Sequence, residues 1–119
     1  MQLKLKLTVA AAIAAVAGMA AAQGVTVVKI GNVAPMSGPQ AHYGKDIENG
    51  VRMAIDDMNA QGVVIGGKKV KLELVNEDDA SAPKQGTAAA QKLCDAKVAG
   101  VVGPLNSGTP IPASKVYND

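Results

Sequence analysis

From Val25 to Ala34 (VTVVKIGNVA) β-branched residues crowd together without strict alternation, which predicts a strand covered on both faces. From Tyr43 to Ala60 the apolar positions Ile47, Val51, Ala54, Ile55 and Met58 fall on one side of a 3.6-residue period and predict a helix, ended by Gln61-Gly62. Lys69 to Asn76 (KVKLELVN) sets Val70, Leu72 and Leu74 against Lys71 and Glu73. That is the pattern of a strand with one wetter face, as an edge strand would have. Glu77 to Pro83 reads as a loop, Lys84 to Lys97 as an Ala-rich second helix, and Val98 to Gly103 (VAGVVG) as a short covered strand. Pro104 to Gly108 turns the chain into a third helix, Thr109 to Asn118. Its Pro110 and Pro112 fall in the first turn, where a missing N–H has no helical partner anyway.

Strand, helix, strand, helix, strand, helix implies parallel pairing with right-handed crossovers, hence an α/β fold. The expected arrangement is a partial doubly wound parallel sheet of order 2-1-3. Winding then reverses between the first and third strands, and open α/β sheets bind ligands in the crevice at the carboxyl ends of such a pair. The two loops leaving those ends, Pro35 to Tyr43 and Pro104 to Gly108, are rich in Gly, Pro and small polar residues, and each runs into a helix.

The first residues stand apart from this pattern. Lys4 and Lys6 precede an apolar stretch from Leu7 to Ala17, followed by Ala20-Ala21-Ala22. A basic head, a short apolar middle and an A-x-A site predict a secretory signal peptide over residues 1–22, cleaved between Ala22 and Gln23, and an exported domain over residues 23–119. The apolar stretch is too short to span a bilayer comfortably. Removing Lys4 and Lys6 from the twelve basic residues leaves ten against ten acidic ones. The exported part is thus near neutral, which gives no footing for nucleic-acid binding. Cys94 is the only cysteine and reads as a small buried residue on the second helix. With no Phe or Trp, the core rests on Val, Ile, Leu, Met and Ala.

Small residues let a backbone approach a ligand, and free amides at a helix start suit an anion such as a carboxylate. Ser107 adds a hydroxyl, and Tyr43 can close an apolar side. Nothing reads as catalytic. His42 has no second His or Cys near it for a metal site and reads as an exposed loop residue, and neither Ser37 nor Ser107 sits in a G-x-S-x-G. Gly62, four residues, then Gly67-Lys68 falls short of a P-loop, because Lys69 stands where Ser or Thr belongs and the stretch follows a helix; it reads as a turn. Glu77-Asp78-Asp79 lacks calcium-loop spacing and reads as a solvated or helix-capping group. No cofactor or metal is expected, and no enzymatic activity.

The stretch "IGNVAPMSGPQAHYGKDIENGVRMAIDDMNAQGVVIGGKKVKLELVNEDDASAPKQ" followed by "VVGPLNSGTPIPAS" resembles the beginning of the branched-chain amino-acid binding proteins, the periplasmic receptors of ABC importers. The resemblance covers Val25 to Asp119. It implies the first half of lobe one of a type I periplasmic binding protein, a hinged, two-lobed and monomeric receptor. Such a receptor closes on a leucine, isoleucine or valine in the periplasm and delivers it to an ABC permease in the inner membrane. It also implies that Tyr43 lines the side-chain end of the ligand and that Ser107 hydrogen-bonds its carboxylate, with Asn106, Gly108 and Thr109 as further ligand-binding residues. Similar domains that sense amides, urea or other small molecules give the alternative role. Ser81 and Asn106 stand where some members carry a disulfide between two loops. Family members are several times longer, so this segment is expected to be the opening part of such a receptor, weak or inactive in binding alone, with one side of its third strand unpaired.

Overall fold

A computed structural model describes residues 24–119, and the expected signal peptide lies outside them. Its strands are β1 (Thr26–Ala34), β2 (Val63–Ile65), β3 (Lys68–Asp78) and β4 (Gly100–Val102), and its helices are α1 (Ala41–Gln61), α2 (Pro83–Asp95) and α3 (Pro110–Tyr117). The sheet order is β2-β3-β1-β4. β1 pairs in parallel with β3 from Thr26↔Val70 to Ala34↔Asp78, and with β4 from Ile30↔Gly100 to Asn32↔Val102. The three parallel strands therefore lie in the expected 2-1-3 order.

β2 is an addition to the expected elements. It pairs antiparallel with β3, Val63 opposite Val70 and Ile65 opposite Lys68. The two residues between them, Gly66 and Gly67, have φ of 57° and 78°, the left-handed backbone that a tight two-residue hairpin demands and that glycine adopts without a steric cost. The Gly62-to-Lys68 stretch is thus a hairpin and more than a turn. It also narrows the edge assignment: β2 covers the outer side of β3 over Lys68–Val70, and β3 beyond Val70 remains an edge. Beyond it, the Asn59 side chain takes over. Its Oδ1 accepts from Leu72 N at 2.8 Å and its Nδ2 donates to Leu72 O at 2.9 Å, so both backbone groups of an open strand edge are satisfied.

The alternation in β3 comes instead from its two faces. Val70 and Leu72 are buried against Ile55 of α1, with Val28, Ile30, Val51, Val63 and Leu74 around them. Lys71 and Glu73 point to the other face, where the α2-side core sits further along the strand: Val33, Ala89 and Leu93, packed by Val75, Val98 and Val101. β1 shows the same division. Its second half, Gly31 to Ala34, is buried, whereas Val27 and Lys29 are exposed, so only that half is covered on both faces.

The inward stripe of α1 runs through Gly44, Ile47, Val51, Ile55 and Asn59, while Ala54 and Met58, expected on it, are exposed. Helix α2 begins with Pro83 in its first turn and turns Gly86, Ala89, Ala90 and Leu93 inward. Cys94, half-buried, faces α3, with Sγ 3.8 Å from Val116 O.

Candidate functional site

Because β1, β3 and β4 are parallel, their carboxyl ends release three loops at one edge of the sheet: 35–40 after β1, 79–82 after β3 and 103–109 after β4. Two side chains hold these loops together.

Asp78, the last residue of β3, is the first. Its Oδ1 accepts from Met36 N and Ala80 N, both at 2.8 Å, and its Oδ2 accepts from the Ser37 hydroxyl at 2.6 Å. Burial works against the charged form, but the hydrogen bonds from Ser37, Ala80 and Met36 outweigh it and hold the Asp78 pKa below its ordinary value. Asp79 is fully buried, and its Oδ1 accepts from Ser81 N at 2.8 Å. These two local bonds fix Ala80 and Ser81 at φ of 47° and 58°, a left-handed backbone costly for non-glycine residues. Asp78 and Asp79 are therefore loop-fastening residues rather than a solvated group, while Glu77 pairs with Lys92 of α2; two acidic residues followed by small ones are the signal in the sequence.

Gln40 is the second. It occupies the N-cap position of α1 yet makes no capping bond through its side chain. Its Oε1 accepts instead from Ser81 Oγ at 2.6 Å and from Asn106 Nδ2 at 2.7 Å. One oxygen atom thereby joins all three loops. Neither Gln40 nor Asp78 is among the expected ligand-site residues, because the bonds that join the loops come from partners 41 to 66 positions away.

Tyr43 stands in the first turn of α1, 52% exposed, its ring 3.9 Å from that of His42 at 40°. His42 is exposed as expected, but on the helix rather than in the loop. The turn is seated by Gly44, which lies against the Pro35 carbonyl so closely that an added Cβ would be 1.9 Å from the oxygen. Ser107 and Gly108 are exposed at the head of α3, and among the described residues their backbone N–H groups make no hydrogen bond. Thr109 is fully buried, and both its hydroxyl and its N–H donate to Asn106 O, at 2.7 and 3.0 Å. Asn106 is engaged with Gln40, and its Oδ1 is buried without a partner among the described residues. Of the five expected ligand-binding residues, Tyr43, Ser107 and Gly108 thus face outward at the sheet edge, whereas the Asn106 side-chain nitrogen and the Thr109 hydroxyl and N–H are used among the loops.

A separate shallow cavity of about 650 Å³ lies at the other end of the sheet, lined by Val25, Asn59, Val63, Val64, Lys69 and Lys71 among others. It shares no residue with the three loops.

A family profile described as periplasmic binding protein matches residues 27–119. The Leu/Ile/Val-binding protein BraC3 of Rhizobium johnstonii is 46% identical over 89 residues, which are 75% of this chain and 23% of that one. The leucine-specific-binding protein of Salmonella typhimurium is 40% identical over 109 residues, 90% of this chain and 29% of its own. Among solved structures, the branched-chain amino acid transporter substrate binding protein LivJ from Streptococcus pneumoniae, in complex with isoleucine, superposes with a TM-score of 0.69 at 33% identity, over 78% of this chain and 26% of that chain. The chain spans about a quarter of the length of these relatives.

Proposed function

The chain belongs to the periplasmic binding protein family, and on that premise we propose that residues 24–119 form one wall of an amino-acid receptor serving an ABC importer. The ligand class is a small aliphatic amino acid. Leucine, isoleucine and valine come first, because the relatives at 40 and 46% identity carry those ligands in their names.

The observation that carries this reading is the contrast within the β4 loop: the Asn106 side-chain nitrogen and the Thr109 hydroxyl and N–H are engaged, while the exposed Ser107 and Gly108 make no hydrogen bond through their amides or the Ser107 hydroxyl among the described residues, ahead of a helix start. Such donors, with the positive end of a helix dipole behind them, suit the carboxylate of a zwitterion. The exposed Tyr43 ring supplies an apolar surface for the aliphatic side chain. Asn106 and Thr109 keep the loop in shape. Capture involves no covalent step: the ligand bridges this wall and a facing one, and binding shifts an open population to a closed one. A leader over residues 1–22 takes residues 23–119, an incomplete lobe, to the periplasm as a monomer, where the partner is the permease of the importer. No observation favours a sensing role for amides or urea.

The test is calorimetry on a hybrid receptor in which residues 24–119 replace the matching segment of the Rhizobium johnstonii relative. Retained binding of leucine, isoleucine or valine supports the reading. A folded, two-lobed hybrid that binds none of the three contradicts it.

A further inference from the structure

Gln40 is a misplaced amide by the usual rules. The N-cap position favours Ser, Thr, Asp or Asn, whose short side chains reach back to the helix amides, and Gln40 does not do so. Its side chain reaches instead toward two loops that arrive from elsewhere in the sequence. A carbonyl oxygen has two lone pairs, and here both are taken, one by Ser81 Oγ and one by Asn106 Nδ2. Meanwhile the Gln40 backbone carbonyl accepts from Tyr43 N at 3.0 Å and Gly44 N at 3.3 Å. The same residue therefore holds the turn that carries Tyr43 and the loop that carries Ser107. Asn106 has no other side-chain partner among the described residues, its Oδ1 being buried and unpaired, so nothing else fixes the Asn106 amide.

We infer that Gln40 is a positioning residue for the ligand crevice, its single side-chain oxygen setting the spacing between the Tyr43 and Ser107 walls. The inference rests on the amino-acid reading above for what the crevice holds, and on geometry alone for the link between loops. Gln40 touches no ligand in this scheme. It acts by keeping the Ser107 and Gly108 donors registered against the Tyr43 ring before the ligand arrives, which removes an ordering cost from binding.

Two variants test it, in two settings. Gln40→Leu removes the acceptor; Gln40→Glu keeps an oxygen able to take both bonds. On the full chain, amide hydrogen exchange at Asn106, Ser107 and Gly108 should quicken in Gln40→Leu and return towards wild type in Gln40→Glu, with exchange at Val33 unchanged in both. On the hybrid receptor, leucine should bind roughly tenfold more weakly in Gln40→Leu, because binding then has to order the loop, and be rescued by Gln40→Glu. Unchanged loop exchange in Gln40→Leu overturns the link itself. Faster exchange with unchanged leucine affinity overturns the positioning role and leaves the amino-acid reading standing. Equal slowing or quickening at Val33 and in the loop marks a merely structural residue and also overturns it. A wild-type hybrid that ignores leucine sinks the reading of the crevice, and the exchange comparison then decides the loop link by itself.

Discussion

The Ser37 hydroxyl donates to Asp78 Oδ2 across 2.6 Å, joining the loop after β1 to the end of β3, 41 positions further along the chain. With Met36 N and Ala80 N on the other oxygen, three donors converge on one carboxylate. They stabilise its charged form and lower its pKa. A group depressed in the folded state contributes stability that is present above its unfolded pKa, about 3.9, and is lost as pH falls through the folded value. Urea midpoints measured from pH 6 down to about 2 should therefore fall for the wild type, and Asp78→Asn should lack that part of the decline. Parallel curves for the two proteins would contradict the assignment.

Two glycines of α1 separate packing from propensity. An added Cβ at Gly44 would sit 1.9 Å from Pro35 O and 2.6 Å from Pro35 C, whereas at Gly50 it would meet nothing within 4 Å. Gly50→Ala should stabilise by roughly 0.5–1 kcal/mol, the helix-propensity gain. Gly44→Ala makes the same gain but must push backbone against backbone, at about 3 kcal/mol, so the net change is destabilising. Denaturant unfolding of the two variants should give opposite signs.

Asn59 predicts a different kind of loss. Its two bonds to Leu72 close a strand edge that β2 leaves open. Asn59→Ala should cost about 2 kcal/mol, since two backbone groups lose their partners, and should raise the tendency of the chain to associate through β3. Unfolding and light scattering at increasing concentration check both.

Much of this fold was legible because hydrophobic period and turn chemistry agree along the chain. β1, α1, β3, α2, β4 and α3 all fall within a few residues of where the apolar pattern puts them, and the parallel order follows from their alternation. The hairpin is the exception: Val-Val-Ile before Gly-Gly is a strand followed by a turn pair, but three residues are too short a run to show a period, and the stretch reads as a turn. Small loop residues and a helix start marked Tyr43, Ser107 and Gly108. What sequence spacing could not reveal is which polar groups are already engaged. Asn106 looks as available as Ser107 until the folded chain brings Gln40 beside it, Thr109 until the turn closes it onto Asn106 O, and Asp78 looks like one of three surface acids until Met36 and Ser37 close over it.

Ser81 and Asn106 donate to the same oxygen atom and so approach within a few ångström of each other. Ser81→Cys with Asn106→Cys should form a disulfide in an oxidising buffer. Closing the loop between positions 81 and 106 should then stabilise the chain by about 3 kcal/mol. A free-thiol assay with thermal unfolding, before and after reduction, reads both effects.

In the proposed receptor the β4 loop grips a carboxylate. Calorimetry of the hybrid receptor with leucine and with leucinamide tests it most directly, because the two ligands differ only at that group. Leucine should bind tightly and leucinamide little, and Ser107→Ala should bind leucine roughly tenfold more weakly. Equal affinity for the two ligands, or an unchanged Ser107→Ala, would contradict it.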